Sequence, residues 1–149
     1  MADPRAYPAR PILAVSAAIV RDGKVLIVRR ARPPAKDVHT LPGGAVEAGE
    51  TLHDAVVREV REETALDIEP VALAGHREVI VRDAQGGIER HFVILCFAAR
   101  WLSGEPRPNA EVTEAKWLKP AELGGLRTTE GLAEIVDRAF KQVSAANSR

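Results

Sequence analysis

"GAVEAGETLHDAVVREVREETAL", residues 44–66, decides the fold, because its apolar and acidic positions keep one helical rhythm. Thr51 with Asp54 forms a [ST]-x-x-[DE] start signal, so the spacing predicts a helix over residues 51–65. At about 100° per residue, Leu52, Ala55, Val56 and Val60 share an apolar arc, and Glu59 and Glu63 fall within about 20° of Leu52. A solvated helix would show the reverse, with its glutamates opposite the apolar stripe. Like charges one turn apart also destabilise a helix by roughly 0.2–0.5 kcal/mol per pair. Inward carboxylates are costly unless they are paired or coordinate a metal. Arg58 lies one turn before Glu62 and beside Glu59, yet one arginine cannot answer three acids. An oxygen-rich cluster suits a hard cation such as Mg²⁺ or Mn²⁺. Taken alone, the helix reads equally as a surface helix with incidental Arg–Glu pairs.

The residues just before it tip that balance. "LPGGAVEAGET" joins an apolar strand end to the helix through Gly43, Gly44 and Gly49. Without a Cβ, such backbone can approach an anion or ligand closely. From Gly44 to Thr51 the run nearly matches the phosphate-binding loop G-x-x-x-x-G-K-[ST], but Glu50 stands where that loop needs lysine. Acid in that place makes sense if a metal stands between protein and phosphate.

Outward from this core, the chain reads as one domain of 149 residues. "ILAVSAAIV" and "KVLIVRR" flank Asp22-Gly23, a hairpin signal. The prolines of "ARPPAKDVHT" predict a loop. Beyond the helix, residues 68–83 and 88–102 read as a long second hairpin around "AQGG". "EAKWL" reads as a short closing strand, "KPAELGGL" as a brief helix entered by proline, and residues 129–143 as a C-terminal helix. Mixed strands with one helix between and one after predict an α/β sandwich. Residues 1–10 are expected to form a loose arm, 11–143 the domain, and 144–149 a flexible tail.

Lys plus Arg and Asp plus Glu number 21 each, so no overall basic field exists to collect a nucleic acid polymer or an anionic membrane. The single cysteine, Cys96, lies in "HFVILCFAA", reads as a buried small hydrophobe, and fits a reducing cytoplasm. "ILAVSAAIV" is too short to span a bilayer and follows no typical signal n-region. His39, His53, His76 and His91 show no close metal-ligand spacing, which argues against zinc.

Residues 44–66 closely resemble the Nudix box, G-x5-E-x7-R-E-U-x-E-E-x-G-U with U aliphatic. Gly44, Glu50, Arg58, Glu59, Val60, Glu62, Glu63 and Leu66 match it, and Ala65 replaces the last glycine. The order of elements over residues 11–143 is also similar to that family's. The resemblance implies a Nudix-type α/β/α sandwich with a mixed sheet, and a metal-dependent hydrolase of nucleoside diphosphates linked to another moiety. It implies that Glu59, Glu62 and Glu63 hold Mg²⁺ (Mn²⁺ as the alternative), with the Gly43 carbonyl a further ligand. Glu59 is either a ligand or the base acting through water. Arg58 orients a helix glutamate, and Glu50 supports the loop or binds an outer metal.

A later-loop acid, Glu111 or Glu114, is a further candidate by the same resemblance, with Glu111 expected as a metal ligand, or else a solvated loop acid. Arg29 and Arg30 either touch the diphosphate or only mark a strand's exit to water. His39 and Gly44 are candidates to line the substrate site. ADP-ribose or a related nucleoside diphosphate sugar is the first substrate expected, a nucleoside triphosphate pyrophosphohydrolase the second reading, and a non-catalytic nucleotide-binding module the third. A homodimer is left open.

Overall fold

The computed structural model describes residues 3–32 and 35–148. The first two residues of the expected arm, two prolines of the expected loop and the last tail residue lie outside it. The elements run β1 (Ile12–Arg21), β2 (Lys24–Arg30), β3 (His39–Thr40), β4 (Gly43–Ala45), α1 (Leu52–Thr64), β5 (Asp67–Arg82), β6 (Ile88–Ser103), β7 (Val112–Leu118), a 3-10 turn at Pro120–Gly125, and α2 (Leu132–Asn147). Asp22 and Gly23, with φ of +48° and +76°, make the two successive left-handed residues that a tight β1–β2 hairpin needs.

β1 is the axis of the mixed sheet. It runs parallel to β6 over Ile12–Val20, and β5 pairs antiparallel on the far side of β6. On its other flank β1 meets β2 only at the hairpin end, Val20 with Val25 and Arg21 with Lys24. β2 then leaves β1 and pairs with β7 along most of its length. β4 fills the place so vacated, setting Gly43, Gly44 and Ala45 against Ser16, Val15 and Ala14. The glycine loop is therefore held at the point where the two strands part.

β1 and β6 are apolar on both faces because a helix covers each. Val56 and Val60 of α1 pack with Val15, Ala17, Ile19 and Leu26. Ile135, Val136 and Ala139 of α2 pack on the opposite face with Ala18, Ile27, Cys96 and Ala98. This is the expected α/β/α sandwich, and Cys96 is buried in it.

Some local expectations change. The proline loop ends in β3, whose two residues pair with β2 once N–H donors are again available past the prolines. Gly43–Ala45 is a strand rather than a loop. α2 continues to Asn147, beyond the residue 143 expected, and Arg100 Nε donates to Asn147 Oδ1 at 2.7 Å. In the arm, Tyr7 donates its N–H to Glu89 O (2.8 Å) and its hydroxyl to Asp83 (2.9 Å), while Arg90 pairs with Asp3. Its partners lie on a distant hairpin, which local periodicity cannot reveal. No helix among the described residues is long and apolar enough to cross a membrane.

Candidate active site

α1 starts where Thr51 Oγ1 accepts from Asp54 N–H at 3.0 Å. Ahead of it Gly49, at φ +90°, closes a turn in which Glu50 N–H donates to Glu47 O (3.0 Å) and Glu47 N–H to Glu50 Oε1 (2.9 Å). Arg58 reaches back across this turn. Its Nε and Nη2 donate to the two oxygens of Glu50 at 2.6 and 2.8 Å, a two-bond fork, and Nη2 also meets Ala45 O at 3.2 Å. The guanidinium holds the Glu50 carboxyl down to about 2. Glu50 thus braces the loop through Arg58 and the Glu47 N–H. Arg58 Nη1 donates onward to Glu59 (2.9 Å) and Glu62 (3.2 Å).

Glu59 and Glu63 face inward, as the helical phase predicts, whereas Glu62 is exposed. Burial raises the Glu59 carboxyl, and the Arg58 hydrogen bond opposes that rise. Arg58 does not extend to Glu63. Burial, then the charges of Glu111 and Glu59, push its carboxyl up to about 8, against a hydrogen bond from Gly43 N–H and the charge of Arg30. Gly44 leaves the room Glu59 needs: a Cβ there would stand 2.2 Å from Glu59 Oε2. At Gly43 a Cβ would stand 2.0 Å from Val15 O. Both glycines therefore serve close approach within the protein, to a carboxylate and to a neighbouring strand.

Strand alternation separates the remaining candidates. Arg30 is felt by Glu63, on the α1 side. Arg29 pairs in register with His39 and Glu114, and its charge and that of His39 act on Glu114 instead. These three belong to the other face of β2. There His39 and Glu114 line a cleft of about 150 Å³ with Ile27, Lys116 and Leu126. Among the described residues, the buried His39 Nδ1 and Arg29 Nε have no hydrogen-bond partner, although Arg29 Nη2 meets Asp37 at 3.3 Å. Glu114 binds Lys116 at 2.8 Å. Glu111 is thus the later-loop acid that meets the helix.

Two features escaped the sequence reading. Asn109 bonds both the end of α1 and the loop holding Glu111; an Asx-turn signal in "PNAEV" was its only local trace. Trp101 and Trp117 flank Arg21, whose Cζ lies 3.8 and 5.4 Å from their ring centroids. Arg21 lies at the hairpin end of β1, away from Gly43, so that platform is already taken.

The model of the NUDIX domain matches residues 10–139. The chain belongs to the NUDIX family. It is 36% identical over 107 residues to the ADP-ribose pyrophosphatase of Methanocaldococcus jannaschii, covering 72% of this chain and 61% of that protein. The chain thus spans about three-fifths of that relative's length. It is 34% identical over 138 residues to a MutT-like protein of Streptomyces ambofaciens, covering 91% of this chain and 79% of the other. The crystal structure of a MutT NUDIX hydrolase from Burkholderia pseudomallei matches with a TM-score of 0.74 at 30% identity, over 87% of this chain and 98% of that one.

Nudix hydrolases use divalent metal ions, and this Nudix domain can be tested for the fit. Among the described residues, no three acids or imidazoles already converge on one point. Glu59 and Glu62 are instead turned to Arg58. Arg58 keeps its place through Glu50 and Ala45, so both acids can leave it without loosening the loop. Glu63, buried beside two other acids, is the group a hard cation would relieve. The donor set fits.

Proposed function

We propose that this Nudix domain hydrolyses the pyrophosphate linkage of a nucleoside diphosphate derivative, with ADP-ribose or a related nucleoside diphosphate sugar as the preferred substrate. The observation that carries the reading is Glu63: a buried carboxyl facing Glu111 and Glu59 beside the Gly43 backbone, with its proton held to about pH 8. Glu59, Glu62, Glu63 and the Gly43 carbonyl would hold Mg²⁺, or Mn²⁺ in its place. The chemistry supplied by the bound cation is withdrawal of charge from the anhydride oxygens and acidification of a water.

The chain's own groups do the rest. Glu111, whose charge acts on Glu63, accepts the proton of the attacking water. Arg30 offsets the negative charge of the diphosphate. Arg58, locked by Glu50, fixes the helix acids and takes back Glu59 and Glu62 when product leaves. The nucleoside end enters the cleft on the other face of β2, lined by His39, Glu114 and Lys116. Gly44 contributes by leaving Glu59 in place. The enzyme works in the cytoplasm on a small molecule, alone or as a homodimer.

A second reading, release of pyrophosphate from a nucleoside triphosphate, is favoured by similarity to a putative 8-oxo-dGTP diphosphatase of Mycobacterium tuberculosis, 33% identical over 144 residues. That alignment covers 85% of this chain, against 72% for the ADP-ribose pyrophosphatase. A panel of nucleoside diphosphate sugars and triphosphates, assayed with Mg²⁺ and resolved by product, separates the two. ADP-ribose yielding AMP and ribose phosphate supports the first reading; pyrophosphate release from triphosphates alone supports the second. No turnover of either class overturns both and leaves a binding module.

A further inference from the structure

Asn109 is exposed, yet its side chain bonds two elements that carry acids. Its Nδ2 donates to the main-chain oxygen of Glu63, in the last turn of α1, where helix carbonyls lack partners of their own. Its Oδ1 accepts from the N–H of Glu111 at 2.9 Å and of Val112 at 3.1 Å. The Asn109 N–H donates to Val112 O at 2.9 Å, closing the turn. On its other side, Glu111 O accepts from Ala31 N–H at 3.0 Å, next to Arg30. The backbone of Glu111 is thus pinned between the end of β2 and the end of α1. Without Asn109 the only remaining anchor of Glu111 among these bonds is Ala31.

We propose that Asn109 is a positioning residue, whose side chain ties the Glu63 end of α1 to the loop of Glu111 and so sets where the two acids meet. The inference rests on the hydrolase reading above and extends it to a residue outside the box. Asn109 touches no reacting atom; it acts through Glu63 and Glu111. Its two functions are chemically separable. The carbonyl oxygen makes the loop turn, whereas the amide N–H₂ alone reaches α1.

Asn109→Asp uses that difference, because it keeps the acceptor for the turn and removes the donor to Glu63 O. Two readouts apply to the whole chain: kcat and KM with ADP-ribose and Mg²⁺, and Mn²⁺ binding without substrate, followed by electron paramagnetic resonance. Expected in Asn109→Asp are a roughly 10-fold lower kcat, a nearly unchanged KM, and Mn²⁺ affinity weakened about 10-fold, the scale for losing an outer-shell partner. A purely structural turn residue would be rescued by Asp in both readouts, and that result overturns the proposal. Asn109→Ser, which also retains an acceptor for the turn, is read in the same way should the added charge unsettle the fold.

A double-mutant cycle tests the route. Added to Glu111→Gln, Asn109→Asp should cost much less kcat than its roughly 10-fold in the wild type; a full and independent loss overturns the route through Glu111. If the wild-type chain cleaves no anhydride, the hydrolase reading falls. The Mn²⁺ titration still decides the tie, by weaker binding in Asn109→Asp or by none of the expected change.

Discussion

Replacing Glu63 by Gln should make the metal-free protein more stable at high pH while leaving it little changed at low pH. In the fold, burial and the charges of Glu111 and Glu59 raise the Glu63 carboxyl from 4.5 to about 8. In the unfolded chain it ionises at its ordinary value. Between those values the folded protein holds a proton that the unfolded chain has lost, so stability falls as pH rises. The contribution is complete below pH 4.5, shrinks across the interval, and is gone above about pH 8. At about 1.4 kcal/mol per pH unit, the whole interval amounts to roughly 5 kcal/mol, and the part between pH 5.5 and 8.5 to about 3 kcal/mol. The amide introduced by Glu63→Gln stays neutral at every pH, so the variant lacks this slope. Urea unfolding in EDTA at pH 5.5 and 8.5 checks it: with a slope of about 2 kcal/mol per M, the wild-type midpoint should fall by more than 1 M relative to that of Glu63→Gln. Saturating Mg²⁺ at pH 8.5 should restore the wild type and not the variant, since a ligand stabilises the state that binds it. Parallel pH profiles for the two proteins would refute the buried, proton-holding Glu63 and with it the account of the site.

Glu59→Gln and Glu63→Gln should each lower Mg²⁺-dependent kcat at least ~10²-fold with the fold intact, as checked by initial rates alongside circular dichroism. Gly44→Ala should push Glu59 from its place, because the new methyl would stand 2.2 Å from a carboxylate oxygen; a drop in kcat of about 10-fold is expected. Ala65 sits at the end of α1 with φ +66°, where a Cβ is strained. Ala65→Gly should therefore stabilise the protein by about 1 kcal/mol, visible as a melting temperature about 2–4 °C higher at unchanged kcat. His39→Ala should raise KM for ADP-ribose several-fold and leave kcat nearly alone, the pattern of lost uniform binding.

Where a feature depended on neighbours in the chain, the sequence already contained it. Asp22-Gly23 named its turn, Thr51 its cap, and the phase of Glu59 and Glu63 against Leu52 their inward direction. Ala65, the one departure from the box, keeps the left-handed cap that a glycine would adopt there, at the cost of a strained Cβ. Composition could not show that β2 leaves β1 for β7, or which face each of its residues takes. Arg29 and Arg30 are adjacent letters with the same charge, yet alternation sends them to opposite faces of β2. His39 goes with Arg29 and Glu114, while Glu111 goes with Glu63.

The sequence by itself determined a helix with an acid stripe, a glycine turn before it, and two hairpins, since each follows from backbone preferences over a few residues. Only the tertiary structure decided which charges meet. Arg58 forks onto Glu50, Asn109 bonds the Glu63 carbonyl, and Trp101 and Trp117 close on Arg21. Such contacts act over a few ångströms, and strand register and packing between distant segments set those separations.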